Sequence, residues 1–173
     1  MNIKLNHIID KMNLRKAAIL TLVCTLILAI SACGAPPKRP AFTDPDTVGA
    51  IPPKAFIGTW TYTVLNPAVP EENDNETIYR FNPDGTFVGN SKSSVITMQM
   101  ESTGTWTIVD DKFVIKMESI EETSGDKLAG LAVALVKGTL KKQTGDMNPY
   151  SITPKRIVMY STEHGTAIQL DRI

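Results

Sequence analysis

From residue 56 to residue 173 the hydrophobic positions recur at every second residue and are punctuated by turn residues, the signature of successive half-buried strands. Residues 56–65 (FIGTWTYTVL) set Trp60, Tyr62 and Val64 on one face against Thr59, Thr61 and Thr63 on the other. Residues 76–81 repeat the pattern with Tyr79 and Phe81. Asn82-Pro83-Asp84-Gly85 is a turn in which Pro presets φ and Gly takes a positive φ, and it leads into a strand over 86–89. In 94–100, Ile96, Met98 and Met100 share a face opposite Val95, Thr97 and Gln99. Strands over 104–109 and 112–119 turn at Asp110-Asp111, with Phe113, Ile115 and Met117 facing one way. After a loop at 143–149, strands over 156–161 and 166–172 join at 162–165.

The period changes once. Residues 126–137 (DKLAGLAVALVK) set Leu128, Leu131, Ala132 and Leu135 at helical spacing, with Ser124 or Asp126 as N-cap and Gly138 just past the end. Val133, Leu135 and residues 138–142 also suit a buried strand leading onward. About eight strands, mostly joined by tight hairpins, with one short helix near 126–137, predict an all-β fold. A small antiparallel up-and-down sheet of this length removes its exposed edges by closing into a barrel.

Upstream the pattern differs. Residues 17–30 are fourteen residues without a charge, preceded by Arg15-Lys16. Spanning a bilayer takes about 20 apolar residues, so the run has the length of a signal-peptide core rather than of a transmembrane helix. Met12 would begin a shorter leader of the same kind. Residues 34–55 hold six of the chain's 11 prolines, which predicts an extended spacer whose apolar stretch 48–51 can instead pack along the domain. The chain therefore divides into a signal peptide (1–32), a tether beginning at Cys33 (33–55) and a β domain (56–173).

Composition sharpens this division. The formal net charge is zero, but the leader takes with it four of 18 basic residues (Lys4, Lys11, Arg15, Lys16) and one of 18 acidic residues (Asp10), leaving a body of about −3. A mildly acidic body without Lys/Arg clusters argues against a nucleic-acid partner. Cys24 leaves with the leader, so Cys33 is the one remaining thiol and no intramolecular disulfide holds the domain.

Two resemblances follow. Ile30, Ser31, Ala32 and Cys33 resemble the lipobox of bacterial lipoproteins, an aliphatic residue and two small residues before Cys. The resemblance implies a diacylglycerol on the Cys33 thiol, cleavage before Cys33, acylation of the new amino terminus and a membrane as partner. Gly34 rather than Asp after the cysteine implies, in a Gram-negative host, the outer membrane facing the periplasm. Gly58-Thr59-Trp60, with the stretch YRFNPDGTFVGN…STGTWTIVDDKFVIK, is similar to lipocalins and small lipocalin-like bacterial lipoproteins. This likeness implies that Trp60 packs across the closed end of the barrel beneath Arg172, beside Gly58. The chain departs from the pattern in lacking a second lipocalin signature and a helix after the last strand. Gly-Thr-Trp-Thr recurs at Gly58 and Gly104.

Catalytic chemistry finds little support. His164, the one histidine of the body, sits in a turn without converging ligands or a nucleophile. Asp84, Asp110 and Asp111 read as turn residues rather than a calcium loop, and Glu118, Glu121 and Glu122 as a solvated strand end. No catalytic residue, metal or cofactor is assigned. Two non-enzymatic readings remain. In one, Trp60, Tyr62, Met98, Met100, Trp106, Phe113 and Met117 line a cavity for a small apolar ligand. In the other they fill the barrel as core, leaving an envelope structural module that binds a protein partner through its outer surface.

Overall fold

Eight antiparallel strands follow one another in sequence order around a closed up-and-down barrel: β1 (Gly58–Val64), β2 (Asn75–Phe81), β3 (Thr86–Ser93), β4 (Gln99–Val109), β5 (Lys112–Glu122), β6 (Thr144–Ile152), β7 (Arg156–Ser161) and β8 (Thr166–Arg172). One helix, α1 (Lys127–Leu140), separates β5 from β6. The structure is a computed structural model and describes residues 38–42, 51–93, 98–140 and 144–173. The expected signal peptide at 1–32, Cys33, Val48, Val95, Ile96 and Thr97 lie outside the described residues.

Register fixes which side chains enter the barrel, because residues opposite one another share a face. Trp60 faces Tyr79 on β2 and Arg172 on β8, and the β1–β8 pairing from Trp60 to Val64 closes the ring. Phe87 faces Phe81 and Gly104, and Trp106 faces Ile115. Alternate positions turn outward, and Glu76, Arg80, Lys92, Glu101, Thr105 and Thr107 are all exposed. A polar exterior around an apolar interior is the inverse of a membrane-spanning barrel. Among the described residues no helix is long and apolar enough to cross a membrane.

The strand count matches expectation by a different route. Gln99 and Met100, the end of the expected strand at 94–100, run on through Gly104 into the expected strand at 104–109 as one strand, β4. A register shift between Thr103 and Gly104 leaves Glu118 as the extra residue on β5, a bulge that lets the long hairpin bend around the barrel. The expected loop at 143–149 is instead largely β6, which pairs with β5 from Phe113↔Met147 to Lys116↔Thr144. Pro149 is tolerated there because it lies beyond the β5 pairing and at a register shift against β7.

The helix also departs in detail. Asp126 caps it, its carboxylate accepting a hydrogen bond from the Ala129 N–H at 3.1 Å. Gly138 lies inside it, since it runs on to Leu140. Leu131, expected on the apolar face, is 57% exposed, whereas Val133 is 5% exposed. Beyond Lys116, β5 has no β6 partner, and α1 packs against β5.

Part of the expected tether packs along the domain. The compact barrel unit runs from Arg39 to Ile173. Arg39 makes a bidentate pair with Glu72 (2.7 and 2.8 Å), and Phe42 lies against the rings of Tyr150 and Tyr160 on the outer face of β6 and β7. Ile51 is buried in the core cluster, and a 3-10 turn at Pro53–Ala55 delivers Phe56 into the barrel. Residues 39–42 thus form an arm strapped to the domain.

Asn66, 5% exposed, ties the arm down. Its amide donates to the carbonyls of Pro40 (3.0 Å) and Gly165 (2.8 Å), and its side-chain oxygen accepts the Ala167 N–H at 2.7 Å. One side chain therefore joins the arm, the β1–β2 loop and the β7–β8 turn. Asn66→Ala leaves the buried Ala167 N–H unsatisfied, and denaturant unfolding should show a loss of about 1–3 kcal/mol. Limited proteolysis should then cut within residues 39–42 before the barrel.

Candidate functional site

The barrel interior is two unlike halves. At the closed end, where β1 begins and β8 ends, Phe56, Trp60, Phe81, Phe87, Trp106 and Phe113 are all at most 6% exposed. Phe56 stacks on Phe113 with centroids 4.6 Å apart, and Phe113 stacks on Trp106 at 6.0 Å. Phe81 meets Trp106 and Phe113 edge-on at 5.8 and 5.3 Å. Such offset and edge-to-face pairs add about 0.5–1.5 kcal/mol each beyond the area they bury. Trp60, Trp106 and Phe113, expected as lining or core, belong to this plug as core. Phe56, expected as the start of the first strand, is its centre, and the Pro52-Pro53 pair just before it is the sequence signal that the strand had not yet begun.

Arg172 seals this end. Its guanidinium carbon stands 4.1 Å from the centroid of Trp60, and its nitrogens donate to the carbonyls of Pro154 (2.8 Å), Ile57 (2.9 Å) and Ala55 (3.0 Å). The Trp60 indole N–H donates in turn to the carbonyl of Phe56 at 2.7 Å. Gly58 is required beneath it: its φ is +137°, and a Cβ there would collide with the Arg172 guanidinium. At Gly104 a Cβ would run into the Lys116 carbonyl and the Phe87 ring. The repeated Gly-Thr-Trp thus marks two crowded positions, each two residues before a buried tryptophan.

Toward the opposite, open end the lining changes. The register turns Thr77, Ser91, Ser102, Met100 and Met117 inward, with Tyr62 and Tyr79 at the level between the halves, while Met147 faces Phe113 and packs against the plug. Thr77, Ser91, Met100 and Met117 are only partly buried although they face the interior, whereas Ser102, Val64, Ser161, Thr166 and Ile168, also inward toward this end, are buried. Met98, also partly buried, sits at the rim, where its carbonyl accepts the Ser93 N–H at 3.0 Å. Tyr62 and Tyr79 pack edge-on at 5.8 Å. Both keep some accessible surface, yet burial pushes the Tyr62 hydroxyl pKa well up, with Tyr79 and Glu72 adding to the rise against the opposing charge of Arg39. Burial likewise raises that of Tyr79. Both rings pack against the core cluster, and both phenols stay protonated donors at neutral pH.

The other sequence candidates have local structural work. Asp84 accepts the Thr86 hydroxyl (2.7 Å) and N–H (2.9 Å), which holds its carboxyl below the usual range. Asp110 and Asp111 take φ of +48° and +59°, the conformation of a two-residue hairpin turn. The Ser124 hydroxyl and the Ser124 and Gly125 N–H groups donate to Glu122 ahead of α1. His164 is exposed in its turn, its Nε2 3.9 Å from the Glu163 carboxylate. Among the described residues no three His, Cys, Asp or Glu side chains converge to hold a metal ion. An open groove of about 380 Å³ lies outside the closed end between Pro52, Lys54, Ile152 and Arg172, but the Arg172 donors there already serve backbone carbonyls.

No protein-family model and no curated protein matches this sequence. The barrel's geometry and the sequence motifs carry the functional reading.

Two outcomes follow from this geometry. Arg172→Gln should cost about 1–3 kcal/mol, since it removes a cation over Trp60 and charge-assisted bonds to backbone carbonyls, and the Trp60 emission should shift to the red as water reaches the plug. For Tyr62 and Tyr79 the folded pKa lies above the unfolded value of about 10. Their contribution to stability is full below that pH and is lost as pH rises through the folded values. Tyrosinate absorbance from these two residues should therefore appear together with loss of the β circular-dichroism signal, and Tyr79→Phe should move that alkaline midpoint upward.

Proposed function

We propose that the chain is a lipid-anchored protein of the cell envelope, held at Cys33, whose lipocalin-like barrel takes up a small apolar ligand through its open end. The observation that carries the ligand reading is the asymmetry of the interior. Aromatic side chains fill the closed half, whereas toward the other end Thr77, Ser91, Met100, Met117, Tyr62 and Tyr79 on β1 to β5 face inward and keep some accessible surface, opposite a buried wall of Val64, Ser161, Thr166 and Ile168. Methionine walls adapt to irregular apolar shapes, and the two phenols supply the few donors that orient a bound molecule. The anchor reading rests on the order of basic flank, apolar run and Ile30-Ser31-Ala32-Cys33 in the sequence. In this reading the protein binds rather than catalyses.

Ser91 faces inward opposite Met100, so Ser91→Phe puts a ring into the open half without touching the plug. The purified chain should take up a fluorescent fatty-acid analogue, and Ser91→Phe should abolish uptake while leaving the thermal midpoint within a few degrees. Uptake unchanged in the variant, or absent from the parent chain, would sink the ligand reading. Cys33→Ser should move the protein out of the membrane fraction and leave the leader uncleaved. If partitioning and processing persist, the anchor is not at Cys33.

A further inference from the structure

The arm determines which end of the barrel lies near the anchor. Arg39 is fixed by Glu72 and by Asn66, whose amide holds the Pro40 carbonyl. Asn66 and Glu72 belong to the β1–β2 loop, at the end opposite Arg172. From there the chain passes Phe42 on the outer wall and reaches the closed end at Ile51 and the 3-10 turn. Only the six steps from Cys33 to Arg39 separate the anchor from the open rim, a reach of about 20 Å when fully extended. Standing the barrel on its closed end would lift Arg39 by about the height of β1, itself close to 20 Å for its residues plus the turns below. That orientation stretches the tether to its limit, whereas a rim-down orientation leaves slack.

The loop that holds Arg39 has its own surface chemistry. Its apex, Pro67-Ala68-Val69-Pro70, carries no charge, and Val69 (44%) and the adjoining Leu65 (38%) are two of the few large hydrophobic side chains left exposed. Ala68 N–H donates to Glu72 at 2.9 Å, so the same carboxylate shapes the loop and clamps the arm. Exposed Glu71, Asp74 and Glu76 flank the apex and disfavour an anionic surface.

We propose that the open rim of the barrel rests on a zwitterionic lipid surface, with loop 65–70 as the contact, so that the ligand recess opens onto the bilayer. This rests on the anchor reading and narrows the ligand class to molecules that partition into lipid. Mouth-down placement lets such a molecule pass between bilayer and barrel without crossing bulk water.

The test uses the acylated full chain in phosphatidylcholine vesicles containing a spin-labelled lipid at headgroup depth. With Cys24 removed in the leader and Cys33 acylated, Val69→Cys or Lys155→Cys supplies the one thiol for a fluorophore, at the open rim or in the closed-end β6–β7 turn respectively. Quenching should be several-fold greater at position 69 than at 155, and Arg39→Gln should narrow the difference by releasing the arm. Equal or reversed quenching on protein whose Cys33 peptide carries its acyl mass overturns the orientation alone. Absence of that mass overturns the anchor and the orientation together.

Discussion

Closure of the ring between β1 and β8 is the constraint on which the rest depends, and Arg172 is where it is made secure. One guanidinium covers the Trp60 ring and binds carbonyls from residues 55, 57 and 154, gathering the incoming chain, the first strand, the β6–β7 turn and the last strand at one point. An eight-stranded barrel has an interior that side chains can just fill. Here the aromatic residues are concentrated in the closed half, where Phe56, Trp60, Phe81, Phe87, Trp106 and Phe113 are buried together. The other half is built of smaller and aliphatic side chains, among them Val64, Ser102, Ser161, Thr166 and Ile168.

The open end is organised by polar rather than apolar contacts. Asn66 and Asn73 act on backbone groups: Asn66 links residues 40, 165 and 167, and Asn73 exchanges hydrogen bonds with both backbone groups of Val64 at 2.9 and 2.7 Å. Amides suit a rim because each presents a donor and an acceptor to a chain leaving its ladder. The Arg39–Glu72 pair adds geometry more than energy, since a partly exposed pair contributes at most about 1 kcal/mol.

The fold class was legible because alternation and turn chemistry agree over most of the domain. Trp60, Tyr62 and Val64, Tyr79 and Phe81, and Phe113, Ile115 and Met117 all point inward as their period requires. What failed did so where local chemistry and tertiary pairing disagree. Gly145, Asp146, Asn148 and Pro149 carry loop propensities, yet β5 and β7 draw them into β6. Gly104 looks like a strand break and is instead where Phe87 and Lys116 crowd a continuous strand. Prolines around the arm predict an extended spacer, but nothing in local sequence says that Arg39 and Phe42 have partners more than thirty residues away. The division of the interior was hidden for the same reason: which inward side chains share a level depends on strand stagger, not on period.

The closing pair has a consequence for the order in which the molecule assembles. Thr61 and Asp171 stand 110 residues apart yet lie side by side, and the Asn66 knot needs residues 165 and 167. A chain emerging from its amino end can make hairpins as it goes, but neither the seam nor the knot can form until the final strand is free. Contacts of such long separation fold slowly, because the loop entropy is lost before they form. The polypeptide therefore stays an open sheet for as long as its last dozen residues are held back.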